Sequence, residues 1–395
     1  MKKICIVTGT RAEYGLLKPV IDKIIEEQEM SLCLYVTGAH LTPELGQTYK
    51  EIEADGIPIS RKIDMQLSSD TSCAIMKSMG VELIGIADAL QEDTPDLMVV
   101  LGDRYEILIA AIAAMMCKIP IAHIHGGEST VGAIDESIRH SITKMSQLHF
   151  ATTEEYRKRI IQLGENPRRV FNTGALGVEN IKKLKLLSQK EMEEQIQFNL
   201  DGNVIMVTYH PVTLEGQLSI KDQVDALLEV LKKHTELKVI FTKANADAGG
   251  SIINTMLDEF CEENSERCIL IASLGQLRYL STLQFCKAVV GNSSSGIIEA
   301  PSLGIPTVNI GDRQKGRVRA ESVIDCRYDS ESIEKALEQG LSENMQVKAK
   351  TVMNPYEKNN TSEQIIDKIK EYMQYNYDIK KTFYDIQFDY SEENE

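Results

Sequence analysis

The chain has 395 residues, 43% of them hydrophobic and 26% charged, the proportions of a folded globular protein with length enough for two domains. Its 59 acidic and 43 basic side chains leave a net charge of −16, which argues against nucleic acid as a partner. The longest apolar run, residues 107–117, falls well short of the ~20 residues that a membrane span needs, and MKKICIVTGTRAEYG reads as a first strand instead of a signal peptide.

Residues 4–8 make a short β-branched strand that turns at Gly9-Thr10-Arg11. Leu16, Leu17, Val20, Ile21, Ile24 and Ile25 then form the apolar stripe of a helix packed on a sheet. SLCLYVTG predicts a second strand, IPISRKI (57–63) a third, and residues 73–90 a long helix. Strands alternating with helices of this length predict a parallel, doubly wound α/β sheet. The first turn lacks the GxGxxG spacing, and the second strand ends in Thr37-Gly38 with no acid to hold a ribose, so the pattern argues against NAD. Arg11 lies where a helix N-terminus favours anions; it either reaches a phosphate or pairs with Glu13 on the surface.

The central stretch follows. LMVVL (97–101) is a buried strand that delivers Asp103 and Arg104. After a helix, the strand IPIAHI ends in His125-Gly126-Gly127-Glu128, and a loop leads to Asp135 and Arg139 on a further helix. Ligands of an open parallel sheet sit beyond the carboxyl ends of its strands. Asp103, His125, Glu128 and Asp135 are therefore expected in one crevice, with arginines beside them. That set suits proton transfer on an anionic substrate.

A second alternating series begins at residue 203. NVIMVTYHP is a strand and turn carrying His210, and LKVIFTKANAD brings Asn245 into a loop. In GNSSSGIIEAP, Ser293, Ser294 and Ser295 offer hydroxyls, Gly296 permits close approach, and the amides of a helix start suit a phosphate. Glu299, one turn on, is placed to accept from ribose hydroxyls. The alternative for Asn292 or Ser293 is an ordinary helix cap. GDRQKGRVR puts Arg313 and Arg317 at another strand end, where they read as a diphosphate clamp. Eight cysteines show no CxxC and no zinc spacing; Cys5, Cys33 and Cys117 lie in apolar runs and read as reduced thiols of a cytoplasmic protein.

In this order, VTGTRAEYG, LGDRYE, HIHGGE, IDESIRHSITK, TYHP, NADAGG, GNSSSGIIEAPS and NIGDRQKGR resemble the hydrolysing UDP-N-acetylglucosamine 2-epimerases of bacterial sialic-acid pathways, over nearly the whole chain. The resemblance implies two Rossmann-like doubly wound domains facing a cleft, the glycosyltransferase-B arrangement. With the composition shift near residue 174, the expected domains are 1–174, carrying the acid/base residues, and 175–362, binding UDP. A C-terminal helix at about 363–385 is expected to pack back on the first domain. The resemblance also implies no NAD, no essential metal, and a homodimer or higher homo-oligomer.

The implied reaction converts UDP-N-acetylglucosamine and water to N-acetylmannosamine and UDP. By resemblance Asp103, Asp135 and His210 match catalytic positions. Arg11, Arg104, Asn245, Ser293, Ser294, Glu299 and Arg317 match nucleotide-sugar contacts. The related non-hydrolysing epimerases carry a third acid where this chain has His125, which leaves open whether His125 or Glu128 takes that acid's task. Alternative readings are the same reaction on a UDP-linked 2,4-diacetamido-2,4,6-trideoxy sugar, a non-hydrolysing epimerase, a glycosyltransferase, or a nucleotide-sugar sensor.

Overall fold

The computed structural model describes all residues except 44–45, 67–68, 70, 131–132, 213–218, 245–248, 376–378 and 388–395. Two parallel sheets carry the fold. The first contains β1 (Lys2–Thr8), β2 (Met30–Val36), β3 (Arg61–Lys62), β4 (Leu97–Leu101), β5 (Ile121–Ile124), β6 (Leu148–Ala151) and β7 (Val170–Asn172). Their order is β3-β2-β1-β4-β5-β6-β7. The second contains β8 (Val204–Thr208), β9 (Lys238–Thr242), β10 (Cys268–Ile271), β11 (Cys286–Gly291), β12 (Thr307–Ile310) and β13 (Val323–Cys326), in the order β10-β9-β8-β11-β12-β13. Strand order reverses between β1 and β4 and again between β8 and β11. At such switch points a crevice opens beyond the strand ends.

The sequence builds these sheets by burying both faces of each strand. Along β1, Ile4 and Ile6 face the helices Arg11–Glu26 and Thr361–Gln374, packing among Leu17, Ile21, Ile365 and Ile369. Cys5 and Val7 face the other way, toward Ile86, Leu90, Ala110 and Ala114 of the helices Ser72–Asp93 and Tyr105–Met116. The second sheet repeats this with Ile205 and Val207 on one face and Val204 and Met206 on the other. The third strand is shorter than the sequence suggests: only Arg61 and Lys62 pair with Tyr35 and Val36. Just before it, the Ser60 hydroxyl accepts from the Leu34 amide at 3.1 Å, so a side chain takes the place of a ladder bond at this edge.

The charged stretch after residue 175 forms two short helices, Leu176–Lys183 and Gln189–Ile196. The helix Thr361–Gln374 returns to the first sheet, its Thr361 hydroxyl donating to the Thr173 carbonyl at 2.7 Å. Residues 379–387 continue along that half. Lys381 Nζ donates to the carbonyls of Thr143, Lys144 and Ser146, at the end of the helix Asp135–Met145, and pairs with Glu165 at 2.7 Å. A cation at the negative end of a helix is stabilising. Among the described residues no helix is long and apolar enough to cross a membrane.

Candidate active site

The carboxyl ends of β4 and β5 set up the first wall. Gly102 follows the end of β4; its φ of 79° turns the chain sharply and presents half-buried Asp103. Arg139, from the helix Asp135–Met145, is only 1% exposed although it is among the largest side chains. Its guanidinium pairs with Asp103 and with Glu136 (2.9 Å), and donates to the Glu128 carbonyl (3.0 Å) and the Thr130 hydroxyl (2.8 Å). One buried cation thus ties the Asp103 turn, the loop after β5 and the first turn of the following helix into one unit. Asp135 opens that helix, half-buried.

After β5 the backbone enters the left-handed region at His125, with φ of 66°. Its amide still continues the ladder, donating to the Phe150 carbonyl at 2.9 Å. The ring lies buried, with Nδ1 3.7 Å from Glu128 Oε1. Burial pushes the His125 pKa below its ordinary value; the Glu128 charge opposes this and the Arg317 charge adds to it. Glu128 is 2% exposed. Its Oε1 accepts from the Thr152 hydroxyl at 3.0 Å, and its Oε2 pairs with Arg317 from the loop after β12. This buried ion pair joins the two halves of the chain. Burial opposes the charge of Arg317, yet the Glu128 carboxylate prevails and raises the guanidinium pKa. Next to it, Tyr156 and Tyr356 share a hydroxyl contact of 2.9 Å and hold both ends of Val318, Tyr156 accepting from its amide and Tyr356 donating to its carbonyl.

The second wall rises from β8, β11 and β12. His210 is buried just after β8. The Asn292 side chain, after β11, accepts from the His210 amide and donates to its carbonyl. The Asn292 carbonyl in turn accepts from Arg313 Nη1 (3.1 Å) and Gln314 Nε2 (2.8 Å). Ser293 caps the short helix Ser294–Ile298, its hydroxyl accepting from the Ser295 amide. Gly296 is needed for close approach, because a Cβ there would stand 2.7 Å from Thr307 Cγ2 of β12. Half-buried Glu299 follows; burial chiefly raises its pKa, the Ser295 hydroxyl opposes this, the Glu128 charge adds to it and the Arg317 charge lowers it again. Glu128, Arg317 and Glu299 therefore lie within electrostatic reach of one another.

Two further predicted anion ligands, Arg11 and Arg104, are also occupied by protein. Arg11 pairs with Glu51 at 2.6 Å and donates to the Ser273 carbonyl at 2.9 Å, crossing between the halves. Arg104 pairs with Glu106 at 2.6 Å, above a buried cluster of Glu13, Glu82 and Glu106. Asn245 lies outside the described residues. Asp103, His125, Glu128 and Arg139 meet in one wall, and His210, Asn292 and Arg313 in the other. Sequence reasoning missed Asn292 as the anchor of His210, Gln314 behind it, and the Tyr156–Tyr356 pair. Asn292 had a signal, an amide at a strand's carboxyl end; the tyrosines, 200 residues apart, had none.

A family model described as UDP-N-acetylglucosamine 2-epimerase matches residues 22–370. The chain belongs to this 2-epimerase family. Among its relatives, the GDP/UDP-N,N'-diacetylbacillosamine 2-epimerase (hydrolyzing) of Campylobacter jejuni is 46% identical over 324 residues, 82% of this chain and 84% of that one. The polysialic acid biosynthesis protein P7 of Escherichia coli is 42% identical over 98% of both chains. The crystal structure of the Neisseria meningitidis UDP-GlcNAc 2-epimerase bound to UDP-GlcNAc has a TM-score of 0.76, covering 93% of this chain and all of that one, at 21% identity. That last likeness concerns the fold.

Proposed function

We propose that this member of the family is a hydrolysing 2-epimerase that converts UDP-N-acetylglucosamine and water to N-acetylmannosamine and UDP. The observation that carries the proposal is the facing of two walls: Asp103, His125, Glu128 and Asp135 on the first, and the cations and helix start around Asn292 on the second. A carbon-bound hydrogen at C2 is weakly acidic, so a base must be held against it while UDP leaves C1. The C2–H electron pair forms the C1=C2 bond of a glycal, and the C1–O pair departs with UDP. Water then adds at C1 while a proton reaches C2 from the opposite face.

Asp103, Asp135 and one of His125 and Glu128 are the proton carriers of this reading. Arg313, Arg317, His210 and the Ser293–Ser295 segment are assigned the diphosphate, where preorganised donors stabilise charge on the departing UDP. Glu299 is assigned the ribose hydroxyls. Arg104 is assigned the sugar side. Arg139 acts through Asp103 and the loop after β5 and is read as a positioning residue.

A second substrate reading is favoured by the names of two relatives. The Campylobacter jejuni protein and the Legionella pneumophila UDP-N,N'-diacetylbacillosamine 2-epimerase (hydrolyzing), 36% identical over 87% of this chain, are named for a diacetamido sugar. The same chemistry applies to either sugar. The test is turnover of each UDP-sugar in deuterium oxide, followed by proton NMR. Deuterium at C2 of the released 2-epimer is expected, and the faster of the two substrates identifies the sugar. Product that keeps its original C2 hydrogen would overturn the elimination route.

A further inference from the structure

We infer that His125 is the third proton carrier of the site, acting through Nε2, and that Glu128 positions its imidazole without exchanging protons itself. This rests on the 2-epimerase reading given above.

The two candidates differ in what is left free. Both carboxylate oxygens of Glu128 are committed, Oε1 to the Thr152 hydroxyl and Oε2 to Arg317. At 2% exposure Glu128 lies against a buried guanidinium, and a Glu128 side chain turned to other work would leave Arg317 buried and unpaired. His125 is the reverse case. Its Nδ1 faces Glu128, whereas its buried Nε2 has no hydrogen-bond partner among the described residues. A buried ring nitrogen without a partner calls for an explanation, and what sets His125 apart from His140 and His149, which share the feature, is its place at the carboxyl end of β5 beside Glu128 and Arg317.

The backbone points the same way. A non-glycine residue at positive φ is uncommon, although histidine enters this region more readily than most, and such backbone gathers at functional sites. His125 holds φ of 66° between two anchors: its amide on the Phe150 carbonyl and the close-packed Gly126-Gly127 turn behind it. At Gly126 a Cβ would stand 3.0 Å from His123 Nδ1. The turn thus aims the ring while leaving no room for larger residues behind it.

The charged and titratable groups facing the ring are Glu128 on its own loop, His123 on β5 and Arg317 from the second half. Burial keeps both histidines neutral; the His123 pKa is lowered to about 3, with its Nε2 2.7 Å from the Gly102 carbonyl. A neutral His125 is in the form that accepts a proton. In the forward step Nε2 takes the C2 proton, the C2–H pair becomes the C1=C2 bond, and UDP leaves with the C1–O pair. The imidazolium so formed is stabilised by Glu128, and its proton is lost to solvent before the next turnover. A carboxylate 3.7 Å from Nδ1 favours the tautomer with Nδ1–H toward the anion, which leaves the Nε2 lone pair for the substrate.

The experiment compares His125→Gln and Glu128→Gln with the wild type in kcat against pH and in C2 deuterium incorporation. His125→Gln is expected to lose about 10²-fold or more in kcat, the usual worth of a general base. Glu128→Gln is expected to lose about tenfold. It should also move the acid limb of the kcat profile to lower pH, because His125 then lacks the anion that favours its protonated form. A merely structural Glu128 would leave that limb in place. His125→Gln within tenfold of wild type, or a larger loss in Glu128→Gln than in His125→Gln, overturns the assignment. So does an unmoved acid limb. Ring nitrogen NMR on the wild type covers the case in which a variant fails to fold: the Nδ1–H tautomer of His125 is expected, and the Nε2–H tautomer overturns the pairing. A wild type that turns over no UDP-sugar, or keeps the C2 hydrogen, instead overturns the underlying reading.

Discussion

Asn292 grips His210 by its backbone at both ends: Asn292 Oδ1 accepts from the His210 amide at 2.7 Å, and Asn292 Nδ2 donates to the His210 carbonyl at 2.8 Å. The hold needs an acceptor and a donor a fixed distance apart on one planar group, which only a carboxamide supplies, and glutamine would carry it one methylene further out. Asn292 is fully buried. Asn292→Ala leaves two buried backbone groups unsatisfied, at about 1–3 kcal/mol each. Urea unfolding is expected to show that loss, and Asn292→Asp, which keeps only the acceptor, is expected to fall between.

The Glu128–Arg317 pair gives a second expectation. Arg317→Ala strands a buried carboxylate, which costs about 3–5 kcal/mol. The double variant Glu128→Gln with Arg317→Met removes both charges and is expected to recover most of that stability while remaining inactive. A double variant as unstable as Arg317→Ala alone contradicts the ion-pair account of this contact. Calorimetry with UDP on the same proteins checks the assigned diphosphate role of Arg317: affinity is expected to drop in both.

Stability should also depend on pH through Glu13. Burial chiefly, then the neighbouring Glu106, raise the Glu13 pKa to about 8 against the opposing pull of Arg104. The folded chain therefore keeps a proton that the unfolded chain releases near pH ~4.3. The contribution of this group is full below about pH 4.3 and is lost as pH rises through 8. Glu13→Gln removes the titration while its amide oxygen still accepts from the Gly9 amide. The unfolding free energy of the wild type relative to this variant is expected to fall between pH 5 and pH 9.

Lys381 supplies a fourth test. It sits on three carbonyls at the end of the helix that opens with Asp135. A partly buried cation at a helix end contributes up to about 2 kcal/mol. Lys381→Ala is expected to lose about that much, with faster amide hydrogen exchange in the last turn of the helix Asp135–Met145. Lys381→Arg should keep most of the protection. Unchanged exchange in the alanine variant contradicts the capping role.

Most of the architecture was legible because burial on both faces leaves a plain mark. LMVVL, NVIMV and KAVV could hardly be anything but central strands, and the polar residues just beyond them had to gather at one edge. Edges carried a weaker mark: IPISRKI looks uniformly strand-like, yet Ser60 uses its hydroxyl where a ladder bond was expected. In the site, residue types were legible but their allegiances were not. Arg11, Arg139 and Arg317 all read as anion ligands, and all three hold protein groups here. Which cation faces a cleft depends on side-chain neighbours brought in from distant segments, and a linear pattern carries no record of them. Tyr156 and Tyr356 make the same point.

The return of the helix Thr361–Gln374 to the first sheet bears on the order in which the protein is made. Ile365, Ile366, Ile369 and Tyr372 belong to the same core as Ile4, Leu17 and Val99. The last strand of that sheet, β7, ends at Asn172, so about 200 residues are still to be synthesised before the sheet's covering is complete. At ~5–20 residues per second this is a wait of roughly 10–40 s. By the end of that interval, before Thr361 is made, the second sheet has every one of its own strands and is free to fold, while the first, although translated earlier, still exposes apolar surface. The N-terminal half is thus the later of the two to mature, and a ribosome stalled before residue 361 leaves it a client for chaperones.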